Sequence, residues 1–185
     1  RILLISILIA SGFLAPIQFA NAVITLPPKG VSQELWTAYQ EIVVANVDGA
    51  ERNIRWNASP SFYIAGNPTN ADNSTFRSTL GLISQYCANI TPNISTNEPY
   101  FGVVFQYVPE DKFANYIPST PANTKSSYAL YNYQSGKGLS KFTATISTEI
   151  SQSARDVDTQ LRIYQAMGLR GYTKNMSSSM FSWTF

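Results

Sequence analysis

Apolar residues recur along this chain with two different periods, and the alternation between them predicts the order of elements. Val31, Leu35, Tyr39, Ile42 and Val43 fall on one face of a helix that Ser32 can cap and that Asp48-Gly49 is expected to end. Ile54, Trp56 and Ala58 then alternate with Arg55 and Asn57, and Phe62 and Ile64 continue past Pro60, which predicts a strand bent or edged by that proline. Gly66-Asn67-Pro68 is a turn signal. Phe76, Leu80, Ile83 and Cys87 form the stripe of a second helix over about residues 73–88, and residues 93–99 read as loop.

Residues 100–108 are almost wholly apolar or aromatic, the signature of a central strand buried on both faces. Pro109-Glu110-Asp111 suits the first turn of a short helix carrying Phe113, Tyr116 and Ile117, which Pro118 stops. A tyrosine-rich strand is expected over 127–133, followed by a turn at Gly136-Lys137-Gly138. Phe142, Ala144, Ile146 and Thr148 alternate with Thr143, Thr145 and Ser147, predicting a half-exposed strand. In the final helix Ala154, Val157, Leu161, Tyr164 and Gly168 share a face, with Ile163 and Met167 beside it, and Gly168 or Gly171 ends it. The expected class is α+β, a mixed sheet with packed helices and the last helix lying against it.

Composition narrows the setting. The chain has 185 residues, of which 44% are hydrophobic, enough for one core. Only 13% are charged, so polarity rests on Ser, Thr and Asn, the balance of an exported protein. The N-terminal run RILLISILIASGFLAPIQFANA reads as a secretory signal over residues 1–22 with cleavage after Ala22. The competing expectation is a retained membrane anchor, which Ser6, Ser11, Pro16 and Gln18 interrupt. A single globular domain over 23–185, secreted or periplasmic, follows. Net charge is +2 with no cluster of Lys or Arg, so nucleic acid is excluded as a partner and so is an anionic membrane surface after cleavage; oligomeric state stays open.

Residue supply limits the chemistry further. The chain has no His and one Cys, Cys87, whose place on an apolar helical stripe marks a buried thiol and not a nucleophile. A zinc site would have to come from carboxylates, which that metal rarely uses alone, so no metal or other cofactor is expected. The missing His also removes the usual serine or cysteine triad. Asp156 and Asp158, two apart on a helix, do not face one another, and Glu110 and Asp111 suit a helix start. Ser135-Gly136-Lys137-Gly138 is better read as a hairpin turn than as a phosphate loop. Asn-x-Ser/Thr acceptors at Asn57, Asn73, Asn89, Asn93 and Asn175 matter only where exported proteins are glycosylated.

One stretch carries a resemblance. Leu161-Arg162-Ile163-Tyr164-Gln165-Ala166-Met167-Gly168-Leu169 looks like the active-site helix of His-Glu-x-x-His zinc hydrolases with its Leu-Gly-Leu-type ending. Leu161 stands at the first ligand position, Arg162 at the general base and Gln165 at the second ligand. The chain also resembles exported bacterial proteins of unassigned function that look zincin-like, through Ile54-Arg55-Trp56, Arg155, Gln165-Ala166-Met167-Gly168-Leu169 and Ser179-Met180-Phe181. Members of that family commonly carry an acid near the helix centre, which Leu161 or Arg162 replaces here.

The resemblance implies a zincin-like scaffold without its catalytic residues, with Arg155, Arg162, Gln165, Arg55 and Trp56 as candidate cleft contacts. Arg155 and Arg162 either clamp a carboxylate or form salt bridges inside the domain, for example to Asp158 or Glu149. Trp56, Tyr128, Tyr131 and Tyr133 are either packing or an aromatic platform for sugar or peptide. The expected role is a non-catalytic binding or structural module with a protein or peptide partner in the envelope. Its rivals are a subunit of a larger cell-envelope assembly and a metal-independent hydrolase using carboxylates in the same cleft. Alternating Phe181, Trp183 and Phe185 also suit an outer-membrane barrel, but the helical stripes leave too few strands for one.

Overall fold

A computed structural model describes residues 30, 32–47, 50–53, 56, 58–86, 91–134 and 138–169. Among them the mixed α/β class holds: a five-stranded mixed sheet carries helices packed against it. The signal segment with Ala22, the lone Cys87, Arg55, and the aromatic tail with Phe181, Trp183 and Phe185 lie outside the described residues.

The first helix, α1 (Gln33–Val43), begins after Ser32 as expected, and Trp36 N donates to Ser32 O at 3.0 Å. It ends earlier than Asp48. The run Ile42-Val43-Val44 is β-branched, and the chain turns into a hairpin of β1 (Val44–Val47) and β2 (Ala50–Asn53), antiparallel with Val47 opposite Ala50. The next strand, β3 (Ser61–Gly66), starts beyond Pro60 instead of running through it. Helix α2 (Asn70–Tyr86) begins before Asn73, and β4 (Asn93–Ile94) is a two-residue strand where loop was expected. Strand β5 (Gly102–Val108) is buried throughout, whereas Tyr100 and Phe101, assigned to it from sequence, stand outside at 84% and 58% exposure. A 3-10 turn (Glu110–Lys112) and α3 (Phe113–Tyr116) precede β6 (Ser127–Gln134) and β7 (Gly138–Ser147). The chain then forms α4 (Gln152–Ala166).

Strand order in the sheet is β4-β3-β5-β7-β6, parallel except for β6, which runs antiparallel along the edge of β7. Register lines up side chains that face the helices in rows. Phe62, Val103, Phe142 and Tyr131 form one row, Ile64, Phe105, Ala144 and Ala129 the next, and Gly66, Tyr107, Ile146 and Ser127 the last. Phe76, Leu80 and Ile83 of α2 and Ile163 and Ala166 of α4 close over these rows. Phe76 meets the rings of Phe62 and Phe105 edge-on at 5.8 and 5.0 Å. In the last row Gly66 is needed for two reasons. Its φ is +80°, and a Cβ there would collide with the carbonyl of Tyr107 in β5.

Two expectations are corrected by the packing. Alternation predicted a half-exposed β7, yet residues 142–147 are all buried, because β7 lies between β5 and β6 with its helix face covered and its opposite face closed as well. The predicted apolar face of α4 holds only toward its end, where Tyr164 and Gly168 are buried and Leu161 packs on the core. Val157 is 55% exposed, and the buried line runs through Arg155, Thr159, Ile163 and Ala166. The polar members of that line have partners on other elements, which no pattern within the helix reveals. Among the described residues no helix is long and apolar enough to cross a membrane.

Candidate functional site

Helices α2 and α4 both begin where parallel strands end, α2 after β3 and α4 after β7. Carboxyl ends of strands are where open α/β sheets gather polar groups, and the same is seen here. Thr69-Asn70-Ala71-Asp72 forms a capping box at the start of α2: Thr69 N donates to Asp72 Oδ2 at 2.7 Å, and Asp72 N donates to Thr69 Oγ1 at 3.1 Å. Ser151 caps α4, its Oγ accepting from Ala154 N at 3.3 Å.

The free oxygen of the capping box draws in α4. Asp72 Oδ1 accepts from Arg155 Nε at 3.1 Å and from Gln152 Nε2 at 2.7 Å. Arg155 uses its remaining nitrogens on Gln152 Oε1 at 2.6 Å and Thr148 O at 3.1 Å. Gln152 Nε2 also reaches Asp156 Oδ1 at 2.9 Å, which in turn accepts from Thr75 Oγ1 at 2.8 Å. Beneath them the Tyr107 hydroxyl meets Thr159 Oγ1 at 2.8 Å, and burial pushes the phenol well above its ordinary range. Arg155 therefore pairs with Asp72, not with the Asp158 or Glu149 expected from sequence. Glu149 instead accepts from Glu110 N at 3.0 Å, fixing the 3-10 turn.

Burial of Asp72 by itself would raise its pKa. The Thr69 amide, Gln152, the Thr69 hydroxyl and the Arg155 charge outweigh that and hold it below the usual carboxylate range. A carboxylate depressed in the folded state stabilises the fold above its unfolded pKa of about 3.9, and that contribution is lost as pH falls through the lower folded value. Urea midpoints measured downward from neutrality are expected to fall steeply in acid for the native chain and less steeply for Asp72→Asn. Parallel acid profiles for the two proteins contradict this assignment.

The other half of α4 holds the positions singled out by resemblance. Arg162 reaches the first residue of β6: its Nε donates to Ser127 Oγ at 3.1 Å and its Nη2 to Ser127 O at 2.9 Å. Its Nη1 donates to Gln165 Oε1 at 2.8 Å, so two of the candidate contacts bond to each other. Ser127 and Gln165 are buried. Leu161 packs against the hydrophobic core. One turn before Arg162, Asp158 keeps a buried Oδ2 that has no hydrogen-bond partner among the described residues.

Trp56 joins this end as well. Its indole donates to Ala166 O at 2.6 Å, satisfying one of the last carbonyls of α4, and its ring packs on the core instead of forming a platform. Gly168, at φ +102°, ends the helix in a Schellman motif, with Leu169 N donating to Tyr164 O and Gly168 N to Gln165 O. The bland side of the aromatic expectation also holds for Tyr131, edge-on to Phe142 at 4.8 Å.

Replacing Arg162 with lysine keeps the charge but removes the planar fork that grips Ser127 and Gln165 together. A loss of about 1–2 kcal/mol in unfolding free energy is expected, read from urea denaturation. A native-like Arg162→Lys stability would show that these bonds contribute little.

The structure thus brings together Arg162, Gln165 and Trp56 around the end of α4, and it sets Arg155 in a separate cluster two turns away. Sequence reading missed Asp72, Thr69, Gln152 and Ser127. The Thr-x-x-Asp spacing at 69–72 was a readable signal for the first two; Gln152 and Ser127 had none. Among the described residues no group of three His, Cys, Asp or Glu side chains is placed to hold a metal ion. On the opposite side of α2, a cleft of about 370 Å3 lies between that helix and the β3–β4 edge. Comparison of the sequence with family models, with curated proteins and with solved structures gave no match.

Proposed function

We propose that this chain is an exported, non-catalytic binding or structural module on a degenerate zincin-like scaffold. One observation carries the reading. Arg162 and Gln165 stand where the resembling enzymes keep a general base and a metal ligand; Arg162 donates to both Gln165 and Ser127, while Leu161 lies against the core. Groups held this way give a substrate neither a base nor an open coordination position. The left-handed Gly168 supports the scaffold reading, because a glycine turn closes the helix at the place the resemblance implies. The hydrolase alternative has less support: Asp72 and Asp156, two acids bridged by Gln152, are tied to Thr, Gln and Arg side chains.

The test is metal content and turnover of the purified full chain. Dialysed protein analysed by mass spectrometry is expected to hold zinc far below one equivalent, and a panel of peptides and glycans is expected to stay intact. Stoichiometric, tightly held zinc, or hydrolysis abolished by substituting Arg162, would overturn the non-catalytic reading. The assembly alternative has its own observation in the exposed Tyr100 and Phe101, stacked edge-on at 4.7 Å. Large exposed aromatics side by side suit a partner surface.

A further inference from the structure

Strand β4 pairs with only the start of β3, Ser61 opposite Asn93 and Phe62 opposite Ile94, and Ser95 N closes the ladder on Phe62 O at 2.7 Å. From Tyr63 to Gly66 no strand among the described residues pairs with this edge of β3. Backbone groups of alternate residues in a strand point to the same side. Those of Phe62 face β4, so those of Ile64 face the open edge. An open edge of this kind is a template for another extended chain.

The cleft of about 370 Å3 lies at that edge, bounded by Tyr63 and Ile64 of β3, Ile94 of β4, Thr96, and Asn73 and Arg77 of α2. Its floor is apolar at Ile64 and Ile94, while Asn73 and Thr96 supply an amide and a hydroxyl. Among the described residues Arg77 is the only charged one lining it. That side chain is exposed and makes no ion pair or hydrogen bond among the described residues, unlike Arg155 and Arg162, which are fully engaged within the fold.

We propose that this cleft takes an extended peptide segment bearing a carboxylate, which adds to the open edge of β3 beside Ile64 and sets its carboxylate on Arg77. The inference rests on the binding-module reading and names the partner class for it. Backbone hydrogen bonds to the edge supply the register, and the apolar floor takes a side chain. The planar guanidinium matches a carboxylate with two parallel bonds. A small free anion would leave the strand edge and the apolar floor unused, which is why a peptide is the occupant.

The experiment titrates the 15N-labelled full chain with short capped peptides of alternating valine and threonine, a glutamate being scanned through every position, and with uncapped versions ending in a free carboxylate. Glutamine counterparts, backbone N-methylated peptides, glutarate and inorganic phosphate serve as comparisons. At least one carboxylate peptide is expected to shift the amide signals of Ile64 and Ser95 and to bind about tenfold more tightly than its glutamine counterpart. Arg77→Ala should lose about the same factor and Arg77→Lys less. N-methylation should weaken binding independently of Arg77.

Equal affinity for glutamate and glutamine peptides, or an Arg77→Ala protein that binds as the native chain does, overturns the proposal. So does glutarate or phosphate binding as tightly as the peptide, which would mark a small-anion site. No shift from any peptide at about 1 mM overturns it too, while leaving the non-catalytic reading standing. Cleavage of the bound peptide would do the reverse, keeping the site and removing that reading.

Discussion

Replacing Arg155 with methionine is expected to lower the free energy of unfolding by about 3–5 kcal/mol, the usual consequence of deleting one member of a buried ion pair. The Asp72 side chain is fully buried and that of Arg155 is 11% exposed, so the carboxylate left behind has little access to water. The guanidinium also bridges Gln152 and the Thr148 carbonyl, and both lose a donor in the variant. Adding Asp72→Asn separates charge from shape. It removes the stranded charge but keeps an oxygen for the Thr69 amide, so the double variant is expected to be more stable than Arg155→Met alone. Urea denaturation of the native chain, the two single variants and the double variant gives the coupling energy, with about 1–3 kcal/mol expected for groups in one network. Additive losses, or an Arg155→Met loss under about 1 kcal/mol, would show that the pair does not fasten α4 to α2.

The second large effect lies in the apolar layer beneath that pair. Phe76→Ala is expected to cost about 3–5 kcal/mol, combining the lost transfer energy of the ring with the cavity left behind. Phe76 is fully buried, and its ring is wedged edge-on between Phe62 of β3 and Phe105 of β5, at interplanar angles of 75° and 82°. Neither aromatic neighbour can collapse into the gap without leaving its row in the sheet. Phe76→Leu refills part of the volume and should lose about half as much. An unchanged dependence on denaturant concentration would place the effect in stability and not in a loosened native state. Equal losses for alanine and leucine would point to the ring contacts, with no contribution from the cavity.

Most of the elements were legible in the sequence, and the exceptions are instructive. The almost wholly apolar run of β5, the proline-bounded short helix and the Phe76 stripe depend on composition over a few residues, so they survived into the structure. The hairpin of β1 and β2 was also signalled, because Asp48-Gly49 between β-capable runs is a hairpin sequence. Its β-branched first strand was absorbed into the preceding helical pattern. A boundary error arose where the apolar run began before the strand, at Tyr100 and Phe101.

The candidate site was half legible. Arg155, Arg162, Gln165 and Trp56 were marked by resemblance, and all four are bound within the fold. Their partners Asp72, Thr148, Ser127 and Ala166 lie from seven to 110 residues away along the chain, and only the Arg155–Gln152 and Arg162–Gln165 bonds stay within one helix. Spacing along a helix predicted salt bridges to Asp158 or Glu149, which the geometry replaced with Asp72.

By itself the sequence determined the class, the order of most elements, the glycine-ended last helix and the lack of histidine chemistry, since these depend on residue type and on contacts a few positions apart. Only the tertiary structure decided which face of α4 is buried. A helix with arginine, threonine and glutamine on one side and valine and leucine on another carries two competing patterns. The choice fell to the side whose polar groups find Asp72, Tyr107 and Ser127, because a buried polar group is stable only with its partner in place. The tertiary structure also sets Arg77 beside a stretch of β3 that no strand among the described residues pairs with on that side, which no spacing in the chain announces.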